Sequence, residues 1–139
     1  AVPHCTSNET FRGIIADQAK AIFNGRIHIH PDAQKTHAQL SNKNLLTSNE
    51  AEVNTKPELE IYADDVQCAH GATVAQMDAT ALHYLRARGV SRAEAEVMLS
   101  YGFVNELVDA VPCEAVRDYL KPLLAKRFAH NPKLARHLT

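Results

Sequence analysis

The most constraining feature of this chain is a change of pattern near residue 76. From about Phe11 to Val74, apolar residues come in short or alternating runs, as in Arg26-Ile27-His28-Ile29 and Glu58-Leu59-Glu60-Ile61-Tyr62. Period two is the signature of strands, whose successive side chains point to opposite faces. Between the runs stand Asn24-Gly25, Pro31-Asp32, Ser41-Asn42-Lys43-Asn44, Ser48-Asn49 and Asp64-Asp65. Such residues bond their own backbone or accept left-handed conformations, and so mark turns. Only Asn24-Gly25 has the form of a tight hairpin turn. Asn and Ser punctuate nearly every other turn, so a sandwich, a barrel and a solenoid of stacked parallel coils all stay open.

From Asp78 onward the period becomes helical. Asp78 is the expected N-cap of a helix running to Arg88, with Leu82 and Leu85 on its buried stripe and Gly89 as its stop. Ser91 and Glu94 have capping-box spacing ahead of Val97, Met98, Tyr101, Val104, Leu107 and Val108, which recur at three and four. A third helix is expected from near Pro112, carrying Val116, Tyr119, Leu120, Leu123, Leu124 and Phe128. Pro122 should bend or break it by removing a hydrogen bond. These patterns divide the chain into a strand-built region, residues 1–76, and a small three-helix bundle, residues 77–139.

With 139 residues, 45% of them hydrophobic, the chain is long enough for one real core or for two small units. Fifteen basic and sixteen acidic residues nearly cancel, which removes a general drive toward nucleic acid or an anionic membrane. Beyond Asp118 only cations remain, at Lys121, Lys126, Arg127, Lys133 and Arg136. They read as charge complementing a helix C-terminus and a solvated tail. No apolar run approaches the length of a bilayer span, and the opening Ala1-Val2-Pro3-His4-Cys5 lacks the order of a signal peptide. Three cysteines, Cys5, Cys68 and Cys113, at unrelated spacings suit reduced thiols and a cytoplasmic location. A start without methionine is expected of a piece of a longer protein.

Chemistry concentrates in Asp64-Asp65-Val66-Gln67-Cys68-Ala69-His70-Gly71-Ala72-Thr73-Val74. In a strand Cys68 and His70 share a face, with backbones roughly 7 Å apart. A thiolate and an imidazole form half of a ligand set for iron, zinc or an iron-sulfur cluster, and Cys5 or a partner chain would have to supply the rest. The plainer alternative is that Cys68 is a small buried hydrophobe and His70 a polar residue at the core's edge. His28 and His30 alternate with Ile27 and Ile29, so if the isoleucines point inward the histidines face solvent. Asp64 and Asp65 are adjacent and would point to opposite sides of a strand, which suits a solvated turn better than paired acid and base. Gly-x-Ser-x-Gly, a phosphate-binding loop, His-Glu-x-x-His and Cys-x-x-Cys are all missing from the sequence.

The unbroken stretch from Asn54 through Pro57-Glu58-Leu59-Glu60-Ile61-Tyr62-Ala63-Asp64-Asp65 to Val74 resembles the signature of the SufB/SufD family of iron-sulfur cluster assembly proteins. Lys20-Ala21-Ile22-Phe23-Asn24-Gly25, Asn42-Lys43-Asn44-Leu45-Leu46 and Tyr84-Leu85-Arg86-Ala87-Arg88-Gly89-Val90 are similar to that family too, with wording nearer its SufD branch. The resemblance implies a right-handed parallel β-helix, present here in part, followed by a small helical bundle. It also implies a non-enzymatic scaffold that pairs with a SufB-like subunit and docks a SufC-like ATPase through its helices. In the family a nascent iron-sulfur cluster is thought to form at the SufB-SufD interface. His70 matches the histidine implicated there, and Cys68 the neighbouring cysteine. Two alternatives accompany this expectation: a metal-free bridge with both side chains packed inside, and a β-helical carbohydrate-active enzyme. The second needs a row of exposed carboxylates that the sequence lacks. Unpaired strand edges also make a homodimer possible.

Overall fold

A computed structural model describes residues 2–129. The chain divides into two compact units, Ala1–Gln76 and Met77–Thr139. The first holds five ten-residue strands, β1 (Thr6–Ile15), β2 (Lys20–Ile29), β3 (His37–Leu46), β4 (Glu52–Ile61) and β5 (Gln67–Gln76). Successive strands alternate between two sheets: β1, β3 and β5 form one in that order, and β2 and β4 form the other. Every pairing is parallel. Among the described residues no two consecutive strands are hydrogen-bonded neighbours, so the hairpin alternative does not hold.

Burial follows the strand period. In β3 the buried side chains are Ala38, Leu40, Asn42 and Asn44, and in β2 Ile27 and Ile29. These two rows form one core with Ala33 and Ala63, against which Phe23, Leu59, Val66 and Cys68 pack. The polar members sustain each other: Asn44 Nδ2 donates to Asn42 Oδ1 at 2.5 Å, which lowers the cost of burying the two amides.

Two expected turns are strand interiors. Ser41-Asn42-Lys43-Asn44 lies within β3, where the inward polar pair mimics turn composition. Asn24-Gly25 lies in the middle of β2, and Gly25 is needed there for room. A Cβ at that position would stand 2.8 Å from Leu40 Cδ1 and from Phe23 Cε1. The turns expected at Pro31-Asp32, Ser48-Asn49 and Asp64-Asp65 are present.

The outer face of the β2–β4 sheet is a ladder of charge. Lys20 meets Glu52 at 2.7 Å, Arg26 meets Glu60 at 3.0 Å and Lys56 meets Glu58 at 2.7 Å. The Lys56 hydrogen bond and charge, with Arg26 beyond, hold the Glu58 carboxyl below the usual carboxylate range, so its small contribution is present near neutrality and lost in acid. His28 and His30 project from this outer face as expected, with rings 4.6 Å apart and His28 Nδ1 3.0 Å from Glu60. Being exposed, the pairs that cross from β2 to β4 fix strand register more than they add stability.

The second unit contains α1 (Ala79–Arg86), α2 (Arg92–Asp109) and α3 (Glu114–Ala129), with α2 packed against both neighbours. Asp78 caps α1 by accepting from the Thr80 N–H at 2.8 Å. The helix stops two residues before the expected Arg88, and the chain leaves it through Gly89 at φ 88°. Ser91 and Glu94 form the expected capping box on α2. Ser91→Ala removes one half of it, with an expected cost of about 0.5–2 kcal/mol seen as a lower Tm, whereas Ser91→Asp retains an acceptor and most of the stability.

Met98, expected on the buried stripe of α2, is exposed, and Ser100 is buried instead, its hydroxyl donating to the Glu96 carbonyl at 2.7 Å. Pro122 does not break α3, which runs through it as one helix. Lys133 and Arg136 lie outside the described residues. No described helix is long and apolar enough to cross a membrane.

Candidate functional site

β5 closes the three-stranded sheet with β3 on one side only. The register places Cys68 beside Ala38, His70 beside Leu40, Ala72 beside Asn42 and Val74 beside Asn44. All four partners on β3 are buried, so Cys68 and His70 extend the inward row of the sheet. They share a face, as period two requires. Their environments differ. Cys68 is half-buried and packs on the core cluster, while His70 is exposed, as is all of β5 beyond it. Small residues dominate this strand. The inward row is therefore covered along β3 and open along β5.

Cys68 also lines a hollow of about 690 Å³ with Thr6, Asn8, His37, Gln39 and Gln67. His37 is exposed at the start of β3, and the sequence reading did not single it out. Its position beside Gln67 depends on a strand pairing that no local period reveals. A second hollow of about 330 Å³ adjoins it, lined by His4, Lys35, Thr36, His37 and Asp65. Lys35 and His4 both have positive φ, at 58° and 60°. Their N–H groups bond to the Asp65 and Gln34 carbonyls of neighbouring turns, which stacks those turns in step.

Cys5 does not join Cys68. Its carbonyl accepts from the His37 N–H, which puts it beside β3 on the β1 side, while Cys68 lies on β5. Two strand spacings of about 4.8 Å each separate their backbones at the least. Among the described residues no three His, Cys, Asp or Glu side chains come together as a metal would need. All three cysteines are free. Cys68 and His70 thus present two donors, and a cluster bound by four would need the others from outside the described residues. Asp64 lies in the turn before β5, as expected of a solvated residue, and Asp65 follows it there.

In the helical unit the aromatic residues sort into two groups. Tyr101 of α2 and Phe128 of α3 meet edge to face at 5.6 Å, and Phe103 is half-buried, so these belong to packing. Tyr119 is 69% exposed, and Tyr84 of α1 is exposed too, with the Arg88 guanidinium over its ring.

The sequence that builds these two parallel sheets and the start of the helical unit matches a described family. Residues 1–103 match the family described as SUF system FeS cluster assembly, SufBD core domain, and the chain belongs to this SufB/SufD family. Individual relatives carry the SufD name. The chain is 42% identical over 123 residues to the iron-sulfur cluster assembly protein SufD of Escherichia coli K12, covering 88% of this chain and 29% of that protein. It is 38% identical over 125 residues to an iron-sulfur cluster assembly SufBD family protein of Synechocystis, covering 90% and 28%. Identity with SufD of Bacillus subtilis is 35% over 115 residues, covering 83% and 26%. The chain therefore spans less than a third of the length of these relatives.

Proposed function

We propose that this chain is part of a scaffold subunit for iron-sulfur cluster assembly, without catalytic activity of its own, working in a reducing cytoplasm. The observation that carries the reading is the inward row of β5. Cys68 and His70 stand together where the row loses its cover, and their soft and borderline donors suit iron and sulfide as cargo. Two donors are an incomplete set, so the missing ligands come from a SufB-like subunit laid against that strand. The alternation of parallel strands between two sheets supports a parallel β-helix, with the open edge of β5 as a template for the partner. The helical unit serves as a bundle that receives a SufC-like ATPase, which supplies the energy this chain has no nucleotide loop to harvest.

A second reading keeps the scaffold and removes the metal contact. Cys68 packs on Ala38 and the core, as a structural cysteine would, which favours a bridging role for that residue. The two readings share their partners and differ at the cargo. Co-expression of the full-length protein with its SufB-like and SufC-like subunits tests the shared part. One stable complex containing all three is the expected result, and a full-length protein that elutes alone under reducing conditions contradicts both.

A further inference from the structure

We propose that His28 and His30 form an exchangeable site for a divalent transition-metal ion of zinc-like chemistry on the outer face of the β2–β4 sheet. The inference is independent of any role for Cys68 and His70, which belong to the other sheet. His28 lies near the end of β2 and His30 directly follows the strand, so both side chains leave the same face, as side chains two apart in an extended chain must. Their rings are 4.6 Å apart between centroids and tilted by 60°, side by side without stacking. That separation fits a shared metal ion. An imidazole nitrogen binds zinc at about 2.0–2.1 Å, which puts the ring centroid about 3.2 Å from the ion. Two such rings at bond angles of about 90–109° therefore have centroids roughly 4.5–5.2 Å apart.

A neighbouring carboxylate supplies the second observation. His28 Nδ1 stands 3.0 Å from Glu60 Oε2. An ionised carboxylate can only accept, so Nδ1 carries the proton and the Nε2 lone pair is left as a donor toward a metal. Metal-binding histidines are oriented in this way as a rule, by an acceptor on the nitrogen away from the ion. Glu60 is itself held. Its Oε1 meets Arg26 at 3.0 Å, and its place beside His28 is set by the β2–β4 register. On another side the Tyr62 ring lies 5.2 Å from His28, which limits movement of the imidazole. The His30 ring touches that of His28, and no described hydrogen bond engages its nitrogens. Two imidazoles, with water in the remaining positions, suit a borderline ion such as Zn²⁺ or Cu²⁺. Because no third His, Cys, Asp or Glu donor joins them among the described residues, the ion exchanges with solution rather than staying resident.

The test titrates Zn²⁺ into the full-length protein carrying His70→Ala, which breaks up the other Cys/His pair, and reads affinity and stoichiometry by calorimetry. His28→Gln, His30→Gln, Glu60→Gln and Asn24→Ala are compared in that background. Loss of either imidazole is expected to weaken one Zn²⁺ site about tenfold or more, and Glu60→Gln to weaken it about 10–100-fold, as loss of an orienting carboxylate does. Asn24→Ala, exposed on the same face of β2, is expected to bind as the background does. Cu²⁺ electron paramagnetic resonance gives a second reading, in which nitrogen coupling present in the background diminishes in both histidine variants. A background protein that takes up no Zn²⁺ overturns the inference, and so does one whose affinity and stoichiometry both histidine variants retain. Equal weakening by Asn24→Ala overturns it as well, since the loss would not then come from the imidazoles.

Discussion

Leu40→Ala is expected to destabilise the strand unit by about 2–5 kcal/mol, moving the urea midpoint followed by far-UV circular dichroism with little change in slope. Leu40 is 1% exposed and is the largest fully buried side chain described. It sits in the middle strand of three, beside Glu9 on β1 and His70 on β5, and opposite Gly25 of β2. Gly25 has no Cβ because Leu40 Cδ1 occupies that space, so the glycine and the leucine form one packing unit across the two sheets. Truncation empties the unit. A backbone tied into parallel ladders on both sides of β3 cannot close the gap, and the cavity contribution adds to the lost transfer free energy. The converse change, Gly25→Ala, overfills the same space. Ile22→Ala is the matched control: Ile22 is 76% exposed on the outer face of β2, and its loss should change stability by no more than about 0.5 kcal/mol. Equal effects at Leu40 and Ile22 would mean that the core does not lie between the sheets.

The sequence made some of this legible through period alone. Alternation places Ile27 and Ile29 inside and His28 and His30 outside, and puts Cys68 and His70 on one face, because side-chain direction in a strand is a local property. Capping was equally local: Asp78, Ser91 and Glu94 act on backbone donors within a turn of themselves. What period cannot carry is the identity of the neighbouring strand. That Cys68 lies beside Ala38 and His70 beside Leu40 depends on long-range register, and so does the gap between Cys5 and Cys68. The misread turns have the same origin. Asn42 and Asn44 look like loop residues until each is paired with the other inside the sheet, and Asn24-Gly25 looks like a hairpin until Leu40 is seen to need the space. In α3 the count of apolar positions was right, but one stripe could not be told from two. Leu120 and Leu124 are half-buried, whereas Tyr119 and Leu123, one position earlier in each pair, are exposed.

The second large expected effect concerns His70. Its imidazole is exposed on the open inward face of β5, so His70→Ala leaves no cavity and breaks no described hydrogen bond or ion pair. Stability and subunit assembly should be unchanged, while the cargo donor that we propose disappears. Cys68→Ala acts on a half-buried side chain that packs on the core, so it should cost some stability whatever its effect on the cargo. The two substitutions separate chemistry from packing. The direct measurement is anaerobic reconstitution of the full-length protein in complex with its SufB-like and SufC-like subunits, using iron and sulfide, with absorbance and iron content read for the wild type and for His70→Ala. The account predicts that the variant complex stays assembled and loses most of its cluster; an assembled variant that loads as much iron and sulfide as the wild type would contradict it.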